Sequence, residues 1–251
     1  MWFNILRHYW KTLYPTITTS PDKLKLKGVI FDLDSTLIQT KIDFVEMKTR
    51  MITLLENYGH PEGTLSPTDQ TTVQIIEDAQ LEWEKQSKPK NECDSLVEQI
   101  EQIMNQGELK AIANLVEIPG ARQALKTLKE KGLKLAILTR SHHAYAVQAM
   151  KKLGVYNLFD VILGRHETPE PKPYKGAIDH TVKLMNLSVD EVVMVGDHQI
   201  DRDSAKNSGC IFIGVATGRR GMGSWVNEEP PEHFIPSVAD LPSYLETIDV
   251  I

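Results

Sequence analysis

Two aspartates, Asp32 and Asp34, lie one residue apart at the end of the apolar run formed by residues 29–31. Alternate side chains of an extended strand share a face, so both carboxylates would address the same site. Carboxylates crowded in this way repel each other and lose hydration, and something must compensate for that cost. An Asx-capped turn, a pair of solvated loop acids, or a metal with a phosphate would each account for the pair.

Further residues that could do chemistry follow other apolar runs. Thr139 and Arg140 end one run, Asp197 ends a second and is followed by Asp201, and Lys172 lies between two prolines. Mg²⁺ prefers oxygen ligands such as carboxylates, and a carboxylate can also attack phosphorus. A hydroxyl and an ammonium group could cradle the charged phosphoryl oxygens. These residue types therefore suit phosphoryl transfer.

The elements that must position these residues alternate along the second half of the chain. Four short, β-branched runs predict strands buried on both faces, at 134–139, 160–164, 192–196 and 211–215. Helical patterns separate or follow them, near 120–131, 143–153, 174–187, 201–208 and 240–247. This alternation predicts an α/β fold with a parallel sheet covered by helices. Ligands of such sheets bind beyond the carboxyl ends of the strands.

Residues 42–117 have a different pattern, which is helical almost throughout. We expect a first helix that stops at Gly59, a second with Ser66 as N-cap and Pro67 at its first position, and a third over residues 94–116. The segment contains 15 acidic and 6 basic residues, whereas the rest of the chain is mildly basic. The sequence therefore predicts an acidic, all-helical insertion at 42–117 within an α/β core formed by 23–41 and 118–251.

Residues 1–22 carry an apolar stripe at helical spacing, which predicts an amphipathic helical extension (Trp2, Ile5, Leu6, Tyr9, Trp10 and Leu13). Packing on the body of the protein is the favoured interpretation, with a dimer contact or a membrane-surface anchor as alternatives. The segment lacks the continuous apolar stretch of a secretory signal.

Composition excludes several classes of protein. A net charge of −6 argues against a nucleic-acid binder, and no run is long and apolar enough to span a bilayer. The two cysteines are far apart, and the histidines near the strand ends have no zinc-type spacing. We therefore expect a cytoplasmic protein without a disulfide framework.

The candidate residues also fall into four motifs in order: Asp32-Leu33-Asp34-Ser35-Thr36, then Thr139, then Lys172, then Gly196-Asp197 with Asp201. This set resembles the haloacid dehalogenase-like hydrolase superfamily over about residues 27–247. The helical insertion resembles the cap of its phosphoglycolate phosphatase-like branch, as does the Pro119-Gly120 start of the helix that leads to the second motif. The resemblance implies a Rossmann-like core with an inserted helical cap.

The resemblance also implies roles for the matched residues. Asp32 would be the nucleophile, and Asp34 would protonate the leaving oxygen and later deprotonate the attacking water. Thr139 and Lys172 would hold the phosphoryl group. The Mg²⁺ ligands or their supports would be Asp32, the backbone carbonyl of Asp34, Asp197 and Asp201.

The function implied is a Mg²⁺-dependent phosphatase that acts on small phosphomonoesters through an aspartyl phosphate. Asp34 favours ester hydrolysis, but a phosphomutase of the β-phosphoglucomutase type and a sugar phosphate or nucleotide phosphatase stay open. A non-catalytic binding protein fits the complete motif set less well. The expected partner is a small phosphorylated metabolite, with no nucleic acid or membrane, and the protein would be a monomer or homodimer.

Substrate choice rests on a few cations. Arg50, Lys48 or Arg140 could bind a substrate carboxylate, which makes phosphoglycolate the leading candidate. Alternatively, Lys48 and Arg50 form surface pairs with nearby acids of their helix.

One residue departs from the pattern of the superfamily. Ser35 stands where most relatives have glycine. A positive φ at this turn would cost serine about 1 kcal/mol.

Overall fold

A computed structural model describes residues 26–218 and 231–248 of the chain. Within them the strands are β1 (Gly28–Phe31), β2 (Ile38–Gln39), β3 (Val116–Glu117), β4 (Lys134–Leu138), β5 (Val161–Leu163), β6 (Val192–Gly196), β7 (Ile211–Val215) and β8 (His233–Ile235). Six of these form one sheet in the order β5-β4-β1-β6-β7-β8, and every neighbouring pair is parallel. The predicted parallel sheet is confirmed, with β1 at its centre.

The helices of the described residues are α1 (Phe44–Asn57), α2 (Thr72–Lys85), α3 (Lys90–Ala111), α4 (Ala121–Glu130), α5 (His143–Leu153), α6 (Lys175–Leu184), α7 (Gln199–Ser208) and α8 (Leu241–Thr247). Alternate residues of β1 point to opposite faces of the sheet. Phe31 packs into a hydrophobic cluster with α4, α5 and α8, while Ile30 packs into a second cluster with α6 and α7. The sheet is therefore covered on both sides, as its apolar strands require. No described helix combines the length and the apolarity needed to cross a membrane.

Helices α1 to α3 form the helical insertion, the segment 42–117, and share a third hydrophobic cluster. Met51, Leu55, Ile75, Trp83 and Ile100 are among its buried members. The two ends of the insertion meet in a small antiparallel sheet, where β2 pairs with β3. This pairing holds the entry and exit of the insertion side by side next to the core.

The structure corrects two helix boundaries within the insertion. The predicted N-cap Ser66 lies in a turn, and α2 begins only after Thr71, because Thr71 and Gln74 form a capping box. The third helix begins at Lys90, after Pro89, and ends before Val116, which pairs in β3. The predicted helix over residues 1–22 lies outside the described residues.

Candidate active site

The three central strands bring the predicted motifs to one edge of the sheet. β1 lies between β4 and β6, and its ladder continues where the amide of Asp32 donates to the carbonyl of Val195 at 2.9 Å. Thr139 follows β4 and Asp197 follows β6. The carboxyl ends of parallel strands share an edge, so these three residues line the same site.

Lys172 lies at the centre of this site and is buried. Its ammonium group donates to Oδ1 of Asp32 at 2.7 Å and to Oδ1 of Asp201 at 2.6 Å. Burial alone would lower the pKa of Lys172, but the two carboxylates outweigh it and hold the pKa above its usual value. Lys172 therefore stays charged and fixes one oxygen of each acid.

Asp32, Asp197 and Asp201 form a cluster whose carboxylate oxygens lie within 4.8 Å of one another. Burial, together with the charges of Asp32 and Asp201, raises the pKa of Asp197 to about 8. When all three carboxylates are ionised, Lys172 supplies one positive charge against three negative ones, and negative charge stays uncompensated. Hard oxygen ligands with excess negative charge fit a divalent cation such as Mg²⁺.

Asp34 has surroundings of its own. Its Oδ1 accepts hydrogen bonds from the hydroxyls of Tyr145 at 2.5 Å and Thr40 at 3.3 Å, and its Oδ2 accepts one from Ser141 at 3.1 Å. Burial raises the pKa of Asp34 to about 6. The hydrogen bond from Tyr145 lowers this pKa, whereas the charge of Asp32 raises it. A carboxyl that titrates near neutrality can both give and take a proton.

Thr139 and the turn after it complete the site. The Thr139 hydroxyl is buried and accepts a hydrogen bond from the amide of Ser141 at 3.0 Å. On the opposite side, Thr36 donates from its hydroxyl to Oδ1 of Asp197 at 3.2 Å. Thr36 therefore contacts the acidic cluster directly, whereas Thr139 holds the turn that follows β4.

Ser35 adopts a φ of 64°, so the positive φ considered for the first motif is present. The hydrogen bond from its amide to the carbonyl of Ile38 holds this turn, and its own carbonyl accepts from Thr217. Two bonds from outside the residue therefore hold the serine in a backbone conformation that favours glycine.

Two of the cations predicted to bind substrate lie at the surface. Arg50 is exposed and donates to Gln106 of α3 at 2.8 Å, and Arg140 is exposed beside Thr139. Lys48 is instead buried, and its ammonium group donates to the carbonyl of Gln70 at 2.7 Å.

Lys48 lines a pocket of about 530 Å³ at the start of the insertion. The other lining residues are Lys41, Ile42, Asp43, Phe44, Val45, Pro67 and Thr68. The lining residue Lys41 directly follows Thr40, whose hydroxyl contacts Asp34. It therefore lies beside the linker that leaves the candidate catalytic residues.

Sequence reasoning missed Tyr145 and Arg165. Tyr145 occupies an apolar position of a predicted helix, so no signal distinguishes it from an ordinary core residue. Arg165 follows β5 and binds three side chains of α3: Glu101 and Glu108, each at 2.9 Å, and Asn105 at 2.6 Å. Arg165 thus ties the helical insertion to the edge of the sheet that carries the site.

The chain is similar to one protein family and to several known proteins. Residues 29–215 match the family model described as haloacid dehalogenase-like hydrolase. A phosphoglycolate phosphatase of Neisseria meningitidis is 35% identical over 104 residues, which are 41% of this chain and 44% of that protein. A phosphoglycolate phosphatase of Mannheimia succiniciproducens is 24% identical over 86% of this chain and 97% of its own length. The pyrophosphatase PpaX of Listeria monocytogenes is 25% identical over 86% of this chain and 95% of its own length.

Solved structures give the same fold. A structure from Bacteroides fragilis named as a haloacid dehalogenase-like hydrolase superposes with a TM-score of 0.62 at 18% identity, over 86% of this chain and 100% of that one. A structure from Thermotoga maritima named as a β-phosphoglucomutase has a TM-score of 0.56 at 19% identity, over 89% of this chain and 100% of that one. Because the family model matches residues 29–215, the chain belongs to the haloacid dehalogenase-like hydrolases.

Proposed function

We propose that this protein is a Mg²⁺-dependent phosphatase that hydrolyses small phosphomonoesters through a phosphoryl group carried on Asp32. The observation that supports it most directly is the pairing of Asp32 with Lys172 at 2.7 Å beside a second carboxyl, Asp34, whose pKa lies near 6. One acid pairs with an ammonium group, while the other is poised to transfer protons. Such a pair suits the two half-reactions of an acyl-phosphate mechanism.

In the first half-reaction an oxygen of Asp32 attacks phosphorus. Lys172 engages Oδ1, so Oδ2 is the oxygen available for attack. The bond from phosphorus to the ester oxygen breaks as the new bond to Asp32 forms. Asp34 gives its proton to the departing oxygen, which leaves as a neutral alcohol.

In the second half-reaction water attacks the phosphorus of the aspartyl phosphate. Asp34, now ionised, takes a proton from this water, and the Asp32–phosphorus bond breaks. Inorganic phosphate leaves, and Asp32 and Asp34 return to their starting protonation states. Thr139 and Lys172 donate hydrogen bonds to the phosphoryl oxygens in both steps.

Mg²⁺ would be held by Asp32, Asp197 and the backbone carbonyl of Asp34, with Asp201 supporting this set. When bound, it would neutralise negative charge on the cluster and on the phosphoryl oxygens. Lys172 compensates only part of the cluster's charge. The raised pKa of Asp197 therefore supports a cation at this place.

For the substrate we propose a small phosphomonoester that carries a second anionic group, with phosphoglycolate as the leading candidate. Lys41 and Lys48 give the pocket of the insertion two cations, and the buried ammonium group of Lys48 has donors beyond the one given to Gln70. Two of the relatives are named phosphoglycolate phosphatases. Arg140, at the end of β4, is proposed as a further contact for an anion, whereas Arg50 lies against Gln106.

A screen of phosphorylated metabolites with Mg²⁺ and with chelator tests the activity. We expect release of inorganic phosphate in Mg²⁺, none in chelator, and a loss of at least about a thousandfold in Asp32→Asn. Asp203→Asn is the matched control, because Asp203 pairs with Arg202 on α7 and should leave turnover unchanged. Full activity in chelator would refute the mechanism, and an isomerised sugar phosphate without free phosphate would show a mutase instead.

A further inference from the structure

The carboxyl of Asp34 accepts a hydrogen bond from Tyr145, whose ring belongs to the hydrophobic core. Tyr145 lies on α5, has an exposed fraction of 0%, and is packed among apolar residues of the main cluster. A buried hydroxyl without a partner destabilises the folded state, so the hydrogen bond from Tyr145 to Asp34 also contributes to stability. The Tyr145 hydroxyl also lies 2.9 Å from Thr40 Oγ1.

These contacts are distributed unequally over the two oxygens of Asp34. Oδ1 faces the hydroxyls of Tyr145 and Thr40, at 2.5 and 3.3 Å. Oδ2 faces only the hydroxyl of Ser141 among the described residues, at 3.1 Å. Because Ser141 can accept as well as donate, a proton on Oδ2 is compatible with its surroundings, whereas Oδ1 is occupied as an acceptor.

We propose that Tyr145 is a positioning residue for the general acid, because its hydroxyl anchors Oδ1 of Asp34 and leaves Oδ2 as the oxygen that gives its proton to the leaving group. The proposal rests on the phosphatase function proposed above. Tyr145 does not touch the substrate in this scheme. It fixes the torsion of the Asp34 carboxyl, which otherwise could rotate and present either oxygen.

Thr40 connects this arrangement to the linker that enters the helical insertion. Thr40 follows β2, and the insertion begins two residues later. Its hydroxyl reaches both Asp34 and Tyr145, so the acid is held from the core by α5 and from the linker by Thr40. Displacing the linker would remove one of the two hydroxyls that hold Oδ1.

The variant Tyr145→Phe tests the proposal, since it removes only the hydroxyl and keeps the ring in the core. The ratio kcat/KM covers the steps up to release of the alcohol, in which Asp34 acts as an acid. An alkyl phosphate needs that proton, whereas p-nitrophenolate leaves readily without it. We expect kcat/KM to fall about tenfold or more for the alkyl phosphate and clearly less for p-nitrophenyl phosphate.

Two further variants sharpen the test. Tyr156→Phe removes a phenol that is partly exposed near Lys151 and should change neither ratio. Thr40→Val, which removes the second hydroxyl without changing the shape of the side chain, should reproduce the selective loss in weaker form, and Thr40→Ser should restore it. A loss of kcat/KM that is confined to the alkyl phosphate supports the positioning role, because a general loss of structure would lower kcat/KM for both substrates.

Three results would overturn the proposal. Equal losses for both substrates would assign Tyr145 a structural role alone, and unchanged ratios would show that its hydroxyl is dispensable. In either case, phosphatase activity in the wild-type protein and loss of that activity in Asp32→Asn would still support the proposed function. If the wild-type protein hydrolyses neither substrate, the proposed function and this inference fail together.

Discussion

Gly218 and Asp197 lie so close that a single added methyl group would reshape the acidic cluster. A Cβ at Gly218 would lie 2.5 Å from Oδ2 of Asp197, closer than such atoms ever approach. That oxygen is the end of a flexible side chain, so the carboxylate can move away while the backbone stays in place. The cost of this substitution therefore falls on the site, whereas the fold is spared.

We expect Gly218→Ala to weaken Mg²⁺ binding by about tenfold or more, with little change in the free energy of unfolding measured in chelator. Titration calorimetry with Mg²⁺ and denaturant unfolding give the two quantities. Gly107→Ala is a matched control, because its Cβ would meet only the flexible Met47 side chain, at 3.2 Å. Unchanged Mg²⁺ affinity in Gly218→Ala would show that Asp197 does not hold the cation.

At the same scale, the sequence indicated the candidate catalytic residues but not the residues that support them. Asp32, Asp34 and Asp197 stand out because they follow apolar runs, and Lys172 because it lies between two prolines ahead of a helix. Tyr145 could not be found, because its partner Asp34 is 111 residues away in the chain and only packing brings the two together.

At the scale of elements, Arg165 joins α3 to the core through a nearly buried charge network. Its partner Glu108 also accepts a hydrogen bond from the amide of His142, the N-cap of α5. Removing one member of a buried ion pair leaves the other charge uncompensated, and this costs about 3–5 kcal/mol. The network thus holds the insertion against the core, and removing one of its charged members should lower the free energy of unfolding.

We expect Arg165→Met to lower the free energy of unfolding by about 3 kcal/mol, because Glu108 would stay buried without its cation. Denaturant titration followed by circular dichroism measures this. Arg140→Met is the control, since this neighbouring arginine is exposed and should change stability by less than about 0.5 kcal/mol. The double variant Arg165→Met with Glu108→Gln should recover part of the loss, and a full additive loss would contradict the explanation.

Helix ends were harder to predict than helices. The sequence predicted Ser66 as the N-cap of α2, but Thr71 caps this helix, because Gln74 completes a capping box three residues later. The side chains of His142 and His198 cap α5 and α7, a role that their residue type does not indicate. Strands β2, β3 and β8 have only two or three residues each, too few for a periodic pattern to be recognised.

At the scale of the whole molecule, the site ties stability to pH and to metal. Asp197 and Asp201 have pKa values of about 8 and about 6, raised mainly by burial from an ordinary value of 3.8. An acid with a raised pKa in the folded state contributes stability below its ordinary pKa, and this is lost as the pH rises through the folded value. The metal-free protein should therefore lose stability between about pH 4 and pH 8.

A divalent cation that binds the ionised cluster should oppose this loss. We expect the difference in Tm between Mg²⁺ and chelator to be small near pH 5 and to grow towards pH 8. Thermal unfolding across this range measures it, and Asp197→Asn should abolish most of the difference. An equal effect of Mg²⁺ at both ends of the range would contradict the assignment.

The strand order has a consequence for how the protein is made. The ribosome releases β1 first, yet its neighbours in the sheet begin at Lys134 and Val192. At 5–20 residues per second, β1 waits roughly 10–30 s for its second partner. The apolar cluster of the insertion is complete once Met104 has been added. The insertion can therefore gain structure before β1 does, and β1, which ends just before Asp32, depends long on protection from aggregation.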